Sequence, residues 1–133
     1  MKQLLAFILL IAAAVSSCKK NDNTQVLKLN GTYAGTFQRK VSGTGVVSNV
    51  SLSFNEDAWN GQSSIVKYPA LNYGSFIING NKINFKNESA WTAEFDWSLI
   101  LNGDYDIAAS GNKIIISKSY ATGMRDVYTL SKQ

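Results

Sequence analysis

The acidic side chains offer the clearest scope for catalysis in this sequence, and they form two pairs, Glu56-Asp57 and Asp104/Asp106. A glycosidase would need two carboxyl groups facing each other across a cleft, about 5–10 Å apart. Asp104 and Asp106 flank one predicted hairpin, and Glu56-Asp57 sits at a strand end. Both pairs are therefore typical of solvated turn acids, and a calcium site at Asp104/Asp106 is no better supported. We predict neither a catalytic pair nor a metal site.

Two residue types that often carry out chemistry are scarce. The sequence contains no histidine, which removes the commonest general base and the commonest metal ligand. Cys18 is its only cysteine, so no intrachain disulfide can form. We therefore expect a protein that acts by binding rather than by catalysis, without a cofactor.

The chain is mildly basic, with a formal charge of +4 from 13 Lys and Arg residues against 9 Asp and Glu residues. The lysines are spread along the chain, whereas nucleic-acid binding requires a concentrated basic face. We therefore predict no nucleic-acid partner. A weak affinity for anionic surfaces is the most that this charge supports.

The start of the chain carries the pattern of an export segment. Lys2 precedes an uncharged apolar run over residues 4–15. This run is shorter than the roughly 20 apolar residues of a membrane-spanning helix, and it fits the core of a secretory signal peptide, about 7–15 residues long. It leads into Val15-Ser16-Ser17-Cys18, in which two small residues precede the cysteine.

This ending resembles the bacterial lipoprotein signal, in which the cysteine thiol is lipidated and the peptide bond before it is cut. The resemblance implies a signal peptide over residues 1–17 and a membrane anchor at Cys18 in the bacterial cell envelope. The alternative is an ordinary signal peptide with an incidental cysteine. By analogy with lipoprotein sorting, Lys19 rather than Asp after the cysteine favours the outer membrane. Residues 18–25 are polar and predict a flexible tether, which leaves residues 26–133 for one domain.

Residues 26–133 follow a hydrophobic period of two, broken by Gly and Asn, with no convincing helix. Asn-Gly pairs, which favour tight turns, begin at positions 30, 60, 79 and 102. The pattern predicts an all-β domain of eight or nine antiparallel strands. Such a meander closes most simply as a small up-and-down β-barrel, because closure leaves no unpaired edge.

The register of a hairpin can be tested on the sequence, because paired residues must share a face of the sheet. In the hairpin over 72–86, a loop at Asn79-Gly80 pairs Phe76 with Ile83, whereas a loop at Gly80-Asn81 pairs Phe76 with Phe85. Either register places the same four side chains on one face: Phe76, Ile78, Ile83 and Phe85.

A further hairpin is predicted from the alternation of apolar residues over 95–101. A three-residue turn over 102–104, with a glycine bulge, would pair Leu101 with Tyr105. A two-residue loop at Gly111-Asn112 then sets Ala109 against Ile114. The remaining strands are predicted around positions 33–37, 50–54, 62–66 and 126–131.

The segment Asn30-Gly31-Thr32-Tyr33-Ala34-Gly35 resembles the opening of the lipocalin barrels, where a Gly-x-Trp begins the first strand; here Tyr33 replaces the Trp. In that family an Arg near the last strand packs over the Trp, which implies that Arg125 covers Tyr33. The chain is also similar to small lipocalin-like lipoproteins of Bacteroidota. The segments that carry this likeness are Gly74-Ser75-Phe76, Gly103-Asp104-Tyr105 and Tyr128-Thr129-Leu130-Ser131-Lys132.

Aromatic residues occupy most of the predicted inward positions: Tyr33, Phe37, Phe54, Phe76, Phe85, Phe95, Trp97 and Tyr105. They either fill the barrel or line a pocket, since an interior of about eight strands is just wide enough for side chains or one small ligand. We predict filling, with a shallow pocket for a small apolar or amphipathic ligand at one barrel mouth. The candidate ligand-binding residues are Tyr33, Trp59, Tyr68, Trp91, Trp97 and Arg125.

An envelope protein is the alternative partner, with the chain acting as an assembly factor or a hydrolase inhibitor. Ile77, Ile100 and Ile115 are predicted to point outward, and side by side they would form an apolar stripe for such a partner. Otherwise they are scattered β-branched residues that suit strands. The volume enclosed by the barrel separates the two: a lined interior cavity of about 300 Å³ or more would support a small-molecule site. A packed interior with the three isoleucines contiguous outside would support a protein partner.

Overall fold

The computed structural model describes residues 26–92 and 94–133, so the predicted signal peptide, the anchor at Cys18 and the tether over 18–25 lie outside the described residues. The described chain forms eight strands: β1 Gly31–Lys40, β2 Val47–Asn55, β3 Ala58–Ser63, β4 Tyr73–Asn79, β5 Lys82–Asn87, β6 Gly103–Ser110, β7 Lys113–Ser119 and β8 Arg125–Lys132. Consecutive strands pair antiparallel, and β8 pairs with β1. The sheet therefore closes into an up-and-down barrel, which confirms the predicted fold class.

The two ends of the barrel differ in their connections. At one end, the short-turn end, two-residue turns at 56–57, 80–81 and 111–112 join the strands. The other end, the long-loop end, carries the connections 41–46, 64–72, 88–102 and 120–124. Because loops are where a scaffold presents its variable chemistry, the long-loop end is the first place to look for a site.

The predicted registers of two hairpins are confirmed. Phe76 lies opposite Phe85, and the loop is Gly80-Asn81. Ala109 lies opposite Ile114 around the two-residue turn at 111–112. In both hairpins the alternation of side chains fixed which residues face inward, because a slip of one residue would turn the apolar face outward.

The strand predicted over 62–66 is wrong, because β3 begins earlier and ends at Ser63. The Asn60-Gly61 pair lies inside this strand rather than in a turn. A Cβ on Gly61 would approach the Leu52 side chain to 2.5 Å, so the glycine is there for close packing. The Ser64 N–H still donates to the carbonyl of Asn49 in β2, at 2.8 Å, and the chain then leaves the sheet.

The hairpin predicted over 95–105 is also wrong. Trp97–Leu99 forms a single turn of 3₁₀ helix, and β6 pairs with β5 instead of with the preceding segment. Asp96 caps this turn by accepting the Ser98 backbone N–H at 3.0 Å, which competes with an extended conformation. No helix in the described residues has the length and apolarity of a membrane span.

Side chains fill the interior of the barrel. Six of the eight predicted inward aromatics are buried there, and two more join them, Trp59 and Tyr128. The other two were predicted wrongly: Phe95 is only partly buried, and Trp97 is 58 % exposed. The rings contact one another edge-on or tilted, as between Phe37 and Tyr128, whose centroids are 4.8 Å apart. The predicted filling of the barrel is therefore confirmed for its centre.

Closure of the barrel depends on a glycine in β1. A Cβ on Gly35 would lie 2.0 Å from the carbonyl oxygen of Thr129 in β8, which is far inside van der Waals contact. Without that atom the two strands approach closely enough to pair along their length. Gly35 thus serves the seam between β1 and β8.

Candidate binding site at the long-loop end

A buried arginine organises the long-loop end. Arg39, near the end of β1, donates from Nε and Nη2 to the two carboxylate oxygens of Asp126 in β8, at 2.7 and 2.8 Å. Its Nη1 donates to Asp96 Oδ2 at 2.8 Å and to Ser98 Oγ at 2.9 Å. Tyr120 completes the group, because its hydroxyl donates to Asp126 Oδ2 at 2.8 Å. We call these five residues the Arg39 cluster.

The Arg39 cluster is saturated and leaves no cationic donor for a ligand. Nη2 also donates to the Ser98 carbonyl at 3.1 Å, so all five N–H groups of the guanidinium are engaged. The hydrogen bond to Asp126 is the largest cause that raises the pKa of Arg39, and the arginine stays charged. Burial, followed by the hydrogen bond to Asp126, raises the pKa of Tyr120 to about 12, so this phenol stays protonated at neutral pH. The cluster therefore acts as a clamp on the β5–β6 connection.

Two loops at this end are joined to each other by backbone hydrogen bonds. The Ala70 N–H donates to the Leu99 carbonyl at 2.9 Å, and the Leu101 N–H donates to the Ala70 carbonyl at 3.2 Å. Tyr68 ties in a third loop, because its hydroxyl donates to the Val46 carbonyl at 3.0 Å. These hydrogen bonds hold the three loops of the long-loop end in position relative to one another.

An open cleft of about 540 Å³ lies at the rim of the long-loop end. We call it the rim cleft, and its lining residues are Asn87, Ser89, Ala90, Trp91, Trp97, Ile100 and Asn102. Its volume falls within the range of small-molecule sites, roughly 300–1,000 Å³. Two indoles are among its lining residues, and none of the lining residues carries an ionisable side chain.

The position of Trp91 in the rim cleft is set by Asn87, the last residue of β5. The Trp91 indole N–H donates to Asn87 Oδ1 at 3.1 Å, and Ser89 Oγ donates to the same oxygen at 2.9 Å. Asn87 Nδ2 donates in turn to the Ser89 carbonyl at 2.8 Å. Because the strand end holds the amide, the indole is oriented before any ligand arrives.

The aromatic side chains of the β5–β6 connection form a continuous series. Phe95 lies between the two tryptophans, with centroid distances of 5.8 Å to Trp91 and 6.1 Å to Trp97. Lys67 lies on the β3–β4 loop. Its ammonium group is 4.8 Å from the centroid of the Phe95 ring, and this cation–π contact stabilises the series. Trp97 is 58 % exposed, an unusual degree for an indole in a packed domain.

The structure brings together only some of the predicted ligand-binding residues. Trp91 and Trp97 line the rim cleft, and Tyr68 lies nearby in the β3–β4 loop, where it packs on Phe37 with a centroid distance of 5.2 Å. Trp59 was expected beside a loop at the barrel mouth, but it is a core residue on β3, 2 % exposed. Tyr33 is also a core residue, and its ring packs on Phe54. The predicted Cys18 anchor lies outside the described residues.

The expected cover of Tyr33 by Arg125 is wrong. The register of β1 and β8 sets Arg125 opposite Lys40, whereas Tyr33 lies opposite Lys132 at the far end of the strand. Arg125 is exposed and donates to Ser117 Oγ at 3.2 Å. A different arginine, Arg39, is the buried one.

No family model, curated protein or solved structure matches this chain significantly.

The acidic pairs are engaged on the surface of the barrel. Asp104 Oδ1 accepts a hydrogen bond from Asn84 Nδ2 at 2.7 Å, and Asp106 forms an ion pair with Lys82. Glu56-Asp57 forms the exposed turn between β2 and β3. Within the described ranges, no three His, Cys, Asp or Glu residues come together as a metal site.

The three isoleucines do not form the stripe that a protein partner would need. Ile77 on β4 and Ile115 on β7 are exposed, but two other strands lie between theirs in the barrel. Ile100 is partly buried in the β5–β6 connection, where it pairs with Ala70. Each isoleucine therefore stands apart, as the scattered alternative predicted.

Sequence reasoning missed Arg39, Asp126, Asn87 and Asn102. For the first two a signal was present, because alternation from Phe37 and from Tyr128 places Arg39 and Asp126 on the inner face. A charge at an inward position must be paired, and two opposite charges on strands that meet at the seam predict an ion pair. The two asparagines gave no such signal, since Asn87 ends a strand and Asn102 precedes one, as many turn residues do.

Proposed function

We propose that this protein is a non-catalytic binding protein of the bacterial cell envelope that takes a small amphipathic ligand in the rim cleft. The observation that carries the proposal is the exposed face of Trp97 beside the fixed indole of Trp91, in a cleft of about 540 Å³. An apolar surface of this kind, edged by amide and hydroxyl groups, suits a molecule with one apolar part and one polar part. The filled interior supports the rim as the place of binding, in contrast to barrels that enclose their ligand.

The path of the chain supports an arrangement in which the cleft faces away from the membrane. Leu27 and Lys28 lead into β1 at the short-turn end, where they lie beside Glu56 and Asp57. In the proposed protein, a lipid anchor at Cys18 precedes this end in the chain and holds it toward the lipid. The rim cleft, at the opposite end, then opens to the aqueous side.

A protein partner is the second candidate, and the filled interior of the barrel favours it. The separation of Ile77, Ile100 and Ile115 removes the surface that such a partner was expected to use. A protein partner would therefore have to contact the rim itself. The two candidate functions therefore assign the same tryptophans, Trp91 and Trp97, to different partners.

Calorimetric titration with monomeric octyl glucoside, which joins a neutral polar head to an apolar chain, tests the proposed function. We expect saturable binding that Trp97→Ala weakens by about tenfold, because truncating a central aromatic commonly costs more than 1 kcal/mol. Tyr73→Ala is the matched control, since Tyr73 is 51 % exposed on β4 and does not line the cleft. Absence of binding, or equal losses in both variants, would contradict the proposal and favour the protein partner.

A further inference from the structure

We infer that the ligand of the rim cleft is a neutral saccharide, whose sugar ring lies on the indole faces of Trp91 and Trp97. This inference rests on the proposed function and names the class of molecule that the same site accepts. It follows from three properties of the lining: its flat aromatic faces, its uncharged hydrogen-bonding groups and its open shape.

The aromatic faces match one side of a pyranose. A sugar ring with equatorial hydroxyl groups presents C–H bonds on its faces, and an aromatic ring carries its negative charge density on its own face, so the two surfaces attract. Trp91 offers such a face in a fixed orientation because Asn87 holds its indole N–H. Trp97 offers a second indole, on a residue that is 58 % exposed.

The polar edge of the cleft matches the hydroxyl groups of the same ring. Asn102 lines the cleft and uses its side-chain oxygen to accept the Asn87 backbone N–H at 2.9 Å, so its amide nitrogen is the group that we expect to donate to a ligand. Ser89 and Asn87 are occupied with each other and with Trp91, so they shape the wall rather than bind. Asn102 is therefore the residue that we expect to select hydroxyl groups.

The absence of charged side chains among the lining residues argues against charged amphipathic molecules such as lipids. A fatty acid or a phospholipid head group carries an anionic group, but no residue that lines the cleft is cationic. Arg39 has every N–H group engaged within its own cluster, and the Lys67 ammonium lies over the Phe95 ring rather than in the lining. The cleft is also open along its length, so an acyl chain would remain largely in water.

Three uncharged probes separate the saccharide from the general amphipathic ligand: cellotetraose, octyl glucoside and pentaethylene glycol octyl ether. We expect the first two to bind and the third to bind at least about tenfold more weakly. Asn102→Asp keeps the oxygen that accepts the Asn87 N–H and removes the amide donor, so it should weaken cellotetraose about tenfold. Asn60→Asp, which adds the same charge at an exposed position on β3, should leave the affinity unchanged.

Each outcome decides between the two proposals. Binding of cellotetraose that falls in Trp91→Ala, Trp97→Ala and Asn102→Asp supports the saccharide. Binding of the two octyl compounds without cellotetraose overturns the saccharide and retains the amphipathic function. Cellotetraose binding that no cleft variant weakens places the sugar elsewhere and overturns this inference, and binding of none of the probes overturns both proposals.

Discussion

The guanidinium of Arg39 faces the carboxylate of Asp126 through two parallel hydrogen bonds of 2.7 and 2.8 Å, inside the seam between β1 and β8. Both side chains are buried, so neither charge can be hydrated if the other is removed. We expect Arg39→Met to lower the free energy of unfolding by roughly 3–5 kcal/mol, because it strands the carboxylate. Urea denaturation measures the loss.

Two further variants make this test specific. Replacing both partners, as Arg39→Met with Asp126→Leu, should recover part of the stability, since no buried charge remains. Arg125→Met, at an exposed arginine on β8, should stay within about 0.5 kcal/mol of the parent. A loss in Arg39→Met no larger than in Arg125→Met would mean that the pair is not the clamp we describe.

The 3₁₀ turn should loosen in acid, because its cap is a carboxylate with a lowered pKa. Hydrogen bonds from Ser98, and then the charge of Arg39, hold the pKa of Asp96 below its ordinary value of 3.8. Ionised Asp96 therefore stabilises the turn fully above pH 3.8, and this contribution is lost as the pH falls through the lowered pKa. Amide protection of Ser98 and Leu99 should fall as the pH is lowered below 3.8, through the lowered pKa of Asp96.

Asp96→Asn should abolish this pH dependence and weaken protection of the turn at neutral pH. Asp104→Asn is the matched control, because that carboxylate lies on the outside of β6 and accepts from Asn84. Protection of Ser98 that is unchanged by acid in the parent protein would exclude Asp96 as the group that holds the turn.

Asn87 should control the affinity of the rim cleft without touching the ligand. Asn87→Ala removes the acceptor of the Trp91 indole and of Ser89 Oγ, so we expect Trp91 to sample several rotamers. Octyl glucoside should bind about tenfold more weakly, through the cost of ordering the indole. Asn84→Ala, on the same strand, serves as the control, and equal affinities in the two variants would contradict a fixed Trp91.

A filled barrel predicts a large penalty for emptying its centre. Phe37 is fully buried between Tyr68 and Tyr128, so Phe37→Ala should cost roughly 3–5 kcal/mol in the free energy of unfolding. Tyr73→Ala, at an exposed ring, should cost no more than about 0.5 kcal/mol. Thermal or urea unfolding of the two variants compares the values, and a small loss at Phe37 would indicate a loosely packed interior.

Sequence periodicity predicts the barrel well where local turns decide the pairing. Phe76 and Phe85 share a face under either turn considered, and Ala109 and Ile114 lie across a two-residue turn. In such hairpins the contacts are between near neighbours in the chain, and the side-chain period is strict. Register and inward face could therefore be read without knowledge of the rest of the fold.

The same reasoning fails where a distant residue decides the local conformation. The alternation over 95–101 is typical of a strand, but Asp96 is bound by Arg39, which lies 57 positions earlier. That contact and the Ser98 cap stabilise a 3₁₀ turn and leave Trp97 exposed. The two indoles were predicted as ligand-binding residues. Their arrangement could not be predicted, because the rim cleft depends on this 3₁₀ turn.

The most direct test of a rim site on a filled barrel follows the indole N–H signals of the three tryptophans by nuclear magnetic resonance during titration with octyl glucoside. Trp91 and Trp97 line the cleft, and Trp59 is buried in the core as an internal reference. We predict saturable shifts of the Trp91 and Trp97 signals with the Trp59 signal unmoved. A dominant shift of Trp59 would place the ligand inside the barrel and contradict the account, as would a titration in which no indole signal moves.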